Sequence, residues 1–435
     1  MNLIPDRFMK IVIVNKSDRT GGAAVVSFRL MEALRGIGVD ARMLVVEKLT
    51  DSNYVELAGS SISIKKNFIE ERLKIFIANG FKKSTLFKID TASDGLPLWD
   101  HPLIKEADAV ILNWVNQGML SLKGVRKILE SGKPVVWTMH DMWCMTGICH
   151  HAAECREFHK NCEKCMLLGS GALDKKLAGE IWLRKQKLYS LKQKIKFVAV
   201  SNWLYGKGKE SSLLSCQNVS VIPNAFLFKE DGKTGMEKSN DCKITIGFGA
   251  ARLDDPIKGL PVLVEMTRML KSDYPELAAR MELVTFGNVR DPESLSGIAI
   301  SHSYLGMVRG DDAVRKIYEN TDIVVSSSSY ETLPGTLVEA QAYGCIPVSF
   351  DRGGQADIID HLSTGYIAEY SDNIHTAARH LVEGVVWAAL KVDNPEEFAE
   401  IRRKMKCDVI RKFSPESVAK RYLEIIGVPA DFSKP

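Results

Sequence analysis

Residues 329–340 read SYETLPGTLVEA and decide the fold of the second half of the chain. They follow a β-branched run, Ile323–Ser327, and lead through Pro334-Gly335 into a stretch with helical periodicity. A strand that turns into a helix is the repeating unit of a parallel sheet covered on both faces. Glu331 falls in the turn and Glu339 one turn inside the helix, so both carboxylates lie at the sheet edge where such folds bind ligands.

The same alternation of β-branched runs and helical stretches extends along the whole chain, so each half is predicted to be one doubly wound α/β unit. The predicted strands are Lys10–Asn15, Arg42–Glu47, Ala109–Trp114, Val135–Met139, Phe197–Ser201 and Val219–Ile222 in the first half, and Ile244–Gly249, Leu283–Gly287, Ser303–Val308, Ile323–Ser327, Ile346–Phe350 and Gly365–Ala368 in the second. The predicted domains are 1–226 and 242–414, joined by a polar linker at 227–241. A last helix, in 415–435, is expected to pack back toward the first domain.

Length and composition agree with two soluble domains. A chain of 435 residues exceeds what one hydrophobic core usually organises. Its formal net charge of +4 is too small to indicate a nucleic-acid partner. No apolar leader and no apolar run long enough to span a membrane is present, and we expect a cytoplasmic protein.

Three loops carry groups suited to an anionic ligand. Gly22 follows the first strand, where glycine lets a ligand approach the backbone and a helix start offers free N–H groups. Arg252 and Lys258 follow the first strand of the second half, where two cations could bind a diphosphate. The amides of Thr336 and Leu337 are predicted to be unpaired donors at a helix end. Each loop also has a plain structural interpretation, a tight turn or a solvated basic loop.

Taken together, these motifs resemble glycosyltransferase family 4. The resemblance rests on an ordered set of segments: 198–204 (VAVSNWL), 222–224 (IPN), the Arg252/Lys258 loop, 331–339 (ETLPGTLVE), 342–348 (AYGCIPV) and 353–359 (GGQADII). The set spans nearly the whole chain and is far more specific than any of its members. One departure is that Arg252 and Lys258 are separated by one residue more than in the commonest form of the motif.

The resemblance implies a GT-B fold of two facing Rossmann-like domains, with the donor in the cleft between them. It implies a retaining transfer of a sugar from a nucleotide-diphosphate sugar to a glycan or lipid-linked acceptor, in surface polysaccharide biosynthesis. By the same resemblance, Glu331 holds the donor sugar and His140 lies beside it. The remaining implied donor contacts are Arg252, Lys258, Gly22 and the Thr336 and Leu337 amides after Gly335 on the phosphates, and Glu339 on the ribose.

The transfer is predicted to need no metal, because no DxD-like acidic pair follows a strand where it could hold a metal diphosphate. Two other functions remain open. A nucleotide-sugar epimerase of the same fold would need no second substrate. A non-catalytic nucleotide-sugar-binding or zinc scaffold protein would bind without turnover.

The cysteines cluster in one loop. Of nine in the chain, five lie between Cys144 and Cys165. Thiolates at such spacings can complete a tetrahedral zinc site, and we predict a structural zinc with His159 as a substitute ligand; reduced loop thiols are the alternative. The predicted ligands are Cys149, Cys155, Cys162 and Cys165.

A basic amphipathic stretch occupies Ile64–Ile89. Apolar residues recur at helical spacing, among them Leu73 and Ile77, with lysines such as Lys65 and Lys66 around them. Such a helix can lie on an anionic membrane surface, which would give peripheral contact with the inner face of the membrane. A core-facing helix with a solvated basic face explains the same pattern.

Overall fold

The computed structural model describes residues 9–228 and 243–427, and the chain divides into two compact units. The first unit comprises Met1–Ala225 together with Pro415–Pro435, and the second comprises Phe226–Ser414. All but two residues of the linker predicted at 227–241 lie outside the described residues.

The first unit contains a seven-stranded sheet in the order β3-β2-β1-β4-β5-β6-β7, and neighbouring strands pair in parallel. Its strands are β1 (Lys10–Val14), β2 (Asp40–Val45), β3 (Val55–Leu57), β4 (Ala109–Leu112), β5 (Val135–Met139), β6 (Ile195–Ala199) and β7 (Val219–Val221). Its helices begin with α1 (Gly22–Gly36), α2 (Ser61–Ala78), α3 (Pro102–Glu106), α4 (Leu122–Glu130), α5 (Leu177–Tyr189) and α6 (Asn202–Glu210).

The second unit repeats this plan with a six-stranded parallel sheet in the order β10-β9-β8-β11-β12-β13. Its strands are β8 (Ile244–Arg252), β9 (Met281–Asn288), β10 (Ser301–Tyr304), β11 (Ile323–Ser326), β12 (Ile346–Phe350) and β13 (Tyr366–Ala368). Its helices are α7 (Leu260–Asp273), α8 (Pro275–Ala279), α9 (Asp311–Glu319), α10 (Gly335–Ala342), α11 (Ile374–Val392) and α12 (Pro395–Phe413). The chain then returns to the first unit as α13 (Pro415–Ile426).

Every strand predicted from the sequence has a counterpart in these sheets, and the predicted class of two doubly wound parallel-sheet domains is confirmed. The prediction missed β3, which has only three residues and lies at a sheet edge, too short to show alternation. In each sheet the strand order reverses beside the first strand, between β1 and β4 and between β8 and β11. Ligands of open parallel sheets bind at such points, beyond the carboxyl ends of the strands.

Helix α13 is part of the core of the first unit. Its residues Val418 and Tyr422 are buried in one cluster with Leu30 of α1. The Tyr422 hydroxyl lies 2.9 Å from Thr138 Oγ1 on β5, although the two residues are 284 positions apart. The second unit has a core of its own, built from β8, β9, β11, β12 and β13 and from α7, α11 and α12. Among the described residues, no helix is both long and apolar enough to cross a bilayer.

Candidate functional site

In the second unit, Lys258 and Glu331 meet at the point where the strand order reverses. Lys258 ends a short 3-10 turn after β8, and Glu331 lies in the loop between β11 and α10. Lys258 Nζ lies 2.6 Å from Glu331 Oε1, and both side chains are partly exposed. The turn needs Gly259, whose φ is 68°, because a Cβ there would lie 2.1 Å from the Ser327 carbonyl oxygen. The structure therefore brings together two residues that the sequence placed in separate motifs.

Arg252 ends β8 and pairs with two carboxylates of the same loop. Its Nη2 lies 2.9 Å from Asp255 Oδ2, and its Nε lies 3.4 Å from Asp254 Oδ1. The Arg252 side chain is 33% exposed, so part of it remains accessible from solvent, although its Nε is buried. Asp255 also accepts a hydrogen bond from the Ile257 amide at 3.1 Å, which shapes the turn that carries Lys258.

The start of α10 differs from the prediction in one respect. The helix begins at Gly335, as expected, but the Leu337 amide donates to the Pro334 carbonyl oxygen at 3.1 Å. The prediction that this amide is unpaired is therefore wrong, because the first turn tightens into an i→i+3 bond. Thr336 and Glu339 are half-buried, and Glu339 is close enough to Tyr343 to add to the effect of burial in raising the pKa of that phenol.

A glycine pair positions the backbone of Glu331. The Gly354 amide donates to the Glu331 carbonyl oxygen at 3.0 Å, and the Glu331 amide donates to the Arg352 carbonyl oxygen at 3.3 Å. A Cβ at Gly353 would lie 1.5 Å from the Glu331 carbonyl oxygen, so only glycine fits. Beside this pair, Gln355 is fully buried, and neither end of its amide has a partner among the described residues. Sequence reasoning missed Gln355, since one glutamine gives no pattern.

In the first unit, Gly22 is the first residue of α1. The preceding Gly21 has φ 90°, and both glycines are exposed. A Cβ at either position would meet no atom within 4 Å, so open space faces the start of the helix. This geometry lets an anionic group approach the first amides of α1.

His140 follows β5 and stays neutral at physiological pH. Its Nε2 lies 3.2 Å from Asn113 Oδ1, and burial lowers the pKa of the imidazole to about 4. Asn113 and His140 line a small recess that also contacts α1 and α13. Asn113 is 3% exposed, and its Nδ2 has no hydrogen-bond partner among the described residues. Sequence reasoning did not identify Asn113, one of many polar residues in the chain, which lies near the end of the predicted strand Ala109–Trp114.

The segment after β5 also contains a buried ionic network that the sequence did not reveal. His150 Nδ1 lies 2.7 Å from Asp141 Oδ2, and His150 Nε2 lies 2.7 Å from Asp90 Oδ2. Asp90 also pairs with Arg72. Burial alone would lower the pKa of His150, but the charges of the two carboxylates and the hydrogen bonds with them raise it to about 10. His150 is thus an imidazolium held between two carboxylates.

The four cysteines of the predicted zinc site share one neighbourhood. Their electrostatic interactions link Cys149 with Cys162 and Cys165, and Cys155 with Cys165. Burial raises the pKa of the Cys149 and Cys162 thiols to about 12 and about 11. In the part of the chain that the structure describes, however, no three His, Cys, Asp or Glu side chains are arranged to hold a metal ion. The substitute ligand His159 pairs with Glu210 instead, at 3.3 Å.

The second unit is similar in sequence to known glycosyl transferases. Residues 244–384 match the family model described as "Glycosyl transferases group 1". A 2-deoxystreptamine N-acetyl-D-glucosaminyltransferase from Niallia circulans is 24% identical over 240 residues, which cover 54% of this chain and 54% of that protein. The chain thus matches about half the length of this curated relative.

Two solved structures share the fold over nearly the whole chain. The Anabaena protein HepE, in complex with UDP and glucose, has a TM-score of 0.54 at 14% identity and covers 96% of this chain and 98% of its own. WaaG, described as a glycosyltransferase involved in lipopolysaccharide biosynthesis, has a TM-score of 0.61 at 13% identity. The similarity covers 96% of this chain and 99% of that protein.

Proposed function

We propose that this chain, a GT-B protein whose residues 244–384 are a group 1 glycosyl transferase domain, moves a sugar from a nucleotide-diphosphate donor to an acceptor hydroxyl. The match of residues 244–384 to the family model confirms the resemblance to glycosyltransferases. Membership of family 4 and retention of configuration stay predictions. The observation that carries the proposal is the Lys258–Glu331 pair, a cation and a carboxylate side by side within the matched segment. A donor that has both a diphosphate and sugar hydroxyls offers a partner to each.

We propose that Lys258 and Arg252 bind the donor diphosphate and take up the charge that develops when the nucleotide departs. Both side chains are already paired, so the donor has to compete with Glu331, Asp254 and Asp255. Partly exposed pairs of this kind are worth about 0–1 kcal/mol, which a doubly charged diphosphate readily offsets. The acidic partners hold both cations in place before the donor arrives.

The two glutamates have different proposed roles. Glu331, whose backbone is fixed by the Gly353-Gly354 pair, accepts hydrogen bonds from the hydroxyls of the sugar. Glu339, inside α10, accepts hydrogen bonds from the ribose. The first amides of α10, chiefly that of Thr336, face the phosphates with the positive end of the helix, and Gly22 offers the start of α1 in the same way.

For His140 we propose contact with the transferred sugar as a neutral imidazole. Asn113 Oδ1 accepts a hydrogen bond from Nε2–H, so Nδ1 carries the lone pair. Asn113 is therefore proposed as the residue that orients His140. A neutral ring can exchange hydrogen bonds with a sugar hydroxyl without adding positive charge beside the reacting carbon.

The low pKa of His140 predicts a dependence of stability on pH. The folded protein binds this proton only near pH 4, whereas the unfolded chain binds it near pH 6.5, so stability falls as pH drops from 6.5 through 4. We expect wild type to lose more unfolding free energy between pH 7 and pH 4.5 than His140→Gln does, measured by urea titration. Equal losses in the two proteins would contradict the neutral, buried state.

The acceptor is proposed to be a glycan or a lipid-linked saccharide of a surface polysaccharide. Two observations support this choice: the family resemblance and the likeness in fold to WaaG, whose description names lipopolysaccharide biosynthesis. The UDP and glucose bound to HepE make a uridine nucleotide sugar the first donor to try.

The proposed function is tested by ligand screening followed by turnover. Thermal-shift assays against nucleotide diphosphates and their sugars should show raised stability, by about 2.7 kcal/mol at a ligand concentration 100 times Kd. The donor that binds is then incubated alone and with an acceptor panel. Interconversion of the sugar without acceptor would indicate an epimerase, and binding without turnover over a broad panel would indicate a scaffold protein.

Turnover is predicted to survive chelation of divalent ions. Lys258, Arg252 and the start of α10 supply the positive charge that a metal provides in metal-dependent transferases. We therefore expect the same initial rate with and without EDTA. The opposite result would be that EDTA abolishes turnover and that magnesium or manganese, but not zinc, restores it. That result would show that the leaving group needs a metal.

We also propose a structural zinc on the cysteine loop, since the four thiols share one neighbourhood even though they form no ligand set in this structure. Metal analysis of freshly purified protein should find about one zinc per chain. Changing both Cys162 and Cys165 to Ser should remove it and lower the melting temperature, while donor binding persists. The exposed Cys407, changed to Ser, is the control. Protein without zinc or iron would refute the proposal.

A further inference from the structure

Helix α2 of the first unit has two apolar faces. Its inner face is buried at Ile75, in the interior of the unit. Its outer face carries a stripe of four large aliphatic side chains, which are 82, 59, 53 and 44% exposed: Ile62, Ile69, Leu73 and Ile77. Their spacing of seven, four and four residues puts them on one side of the helix. A helix that only faces the core would bury its apolar residues. Leu73 and Ile77 are exposed, so that alternative does not explain them.

Two exposed aromatic side chains follow the helix in the chain. Phe81 and Phe87 are 58 and 59% exposed in the segment that follows α2. These two aromatic side chains and the four of the stripe, with the lysines among them, are called the α2 surface here. Exposed apolar residues scattered singly are normal, but a contiguous patch on one side of a helix marks an interaction site.

Lysines surround the apolar stripe. Within residues 61–88 the exposed charged side chains are basic: Lys65, Lys66, Lys74, Lys82, Lys83 and Lys88. The acidic residues of this stretch are the half-buried Glu70, which lies 3.8 Å from Lys66, and the buried Glu71. The α2 surface thus combines exposed apolar side chains with lysines around them and, at Lys66, between Ile62 and Ile69 on the stripe itself.

We propose that the α2 surface docks onto an anionic lipid bilayer. The aliphatic and aromatic side chains would enter the boundary between head groups and acyl chains, and the lysines would contact the acidic head groups. Neither the apolar nor the basic side chains alone would suffice for selective binding. Lysines without apolar residues bind a bilayer weakly, and an apolar stripe without charge does not select anionic lipid. This inference does not depend on the proposed transfer reaction.

The charge of the α2 surface favours lipid over a second copy of the chain. Two copies related by a two-fold axis would place the same patch against itself. Lys65 and Lys66 of one copy would then approach the lysines of the other, and the repulsion would oppose the gain from burying the stripe. An acidic bilayer presents the complementary charge and an apolar interior together.

The proposal is tested with the full chain and vesicles of phosphatidylcholine, with and without phosphatidylglycerol. Ile69→Gln/Leu73→Gln should weaken partition to the acidic vesicles by about tenfold or more, because two apolar side chains lose their burial. The matched control is Ile374→Gln/Leu390→Gln on α11, whose side chains are 49 and 64% exposed. All four positions are exposed, so both variants should keep the melting temperature of wild type.

A second pair of variants tests the charge. Lys65→Gln/Lys66→Gln should weaken binding by about fivefold per lysine, and salt should weaken binding of the wild type in the same direction. Lys271→Gln/Lys316→Gln, exposed in the second unit, is the control.

Three outcomes would overturn the inference. The first is equal partition of the wild type to neutral and acidic vesicles. The second is unchanged binding after Ile69→Gln/Leu73→Gln. The third is a concentration-dependent dimer in analytical ultracentrifugation that the same substitution dissolves, which would assign the α2 surface to a second copy of the chain.

Discussion

Glu331→Gln should lower saturated turnover by about 10²–10³-fold, the usual effect of removing one electrostatic contact made in the transition state. The substitution keeps size and shape but removes the charge proposed to strengthen its contact with the sugar as positive charge develops at the anomeric carbon. Binding of the sugar-free nucleotide diphosphate should stay nearly unchanged or tighten, because Lys258 loses its carboxylate partner at 2.6 Å. Donor titration and nucleotide binding measure the two effects separately.

Glu339→Gln is the matched comparison, since it makes the same chemical change on the other side of the α10 start. It should mainly weaken binding of both donor and free nucleotide, with a smaller effect on saturated turnover. The assignment of the two carboxylates is wrong if Glu331→Gln weakens the sugar-free nucleotide as much as Glu339→Gln does, or leaves saturated turnover intact.

Asp90→Ala should destabilise the first unit by about 3–5 kcal/mol, because it leaves two buried cations without a shared partner. Asp90 is fully buried and joins Arg72 to the His150 imidazolium. A loss of this size is a large part of the stability of an ordinary domain. Urea unfolding of the full chain, followed by a signal from the first unit, measures it.

Asp100→Ala is the control for Asp90→Ala. Asp100 pairs with Lys105 at 3.2 Å, but the two side chains are 62 and 60% exposed, so the pair is screened by solvent and its loss should change stability little. Similar losses in the two variants would contradict the importance of the buried network. So would an Asp90→Ala protein as stable as wild type.

The order of strands and helices could be predicted because it depends on local patterns. Runs such as Ile346–Phe350 are mostly apolar, as is typical of strands buried on both faces, and the structure has this run as β12, buried along its whole length. The loops that carry Arg252, Lys258 and Glu331 were predictable as well, since parallel strands point their carboxyl ends to one edge. The three-residue β3 was not, because so short a strand shows no alternation.

The contacts within the candidate site were less predictable. The Lys258–Glu331 pair joins residues 73 positions apart, and the His150–Asp90 pair joins residues 60 apart. No periodicity in a single sequence links such residues. His150 follows Cys149 of the predicted zinc site directly in the chain, whereas the structure places it between two carboxylates.

The amino-acid sequence alone determines the alternation of strands and helices, the division into two parallel-sheet units and the position of the loops proposed to bind the donor, because each follows from hydrophobic periodicity and turn residues over a few positions. Only the tertiary structure decides which charges become partners, that the imidazole of His140 is neutral while that of His150 is charged, and that the stripe on α2 faces outward. These properties depend on burial and on distances between segments far apart in the chain. The same residue types, exposed to water, would carry ordinary pKa values and pair with little consequence.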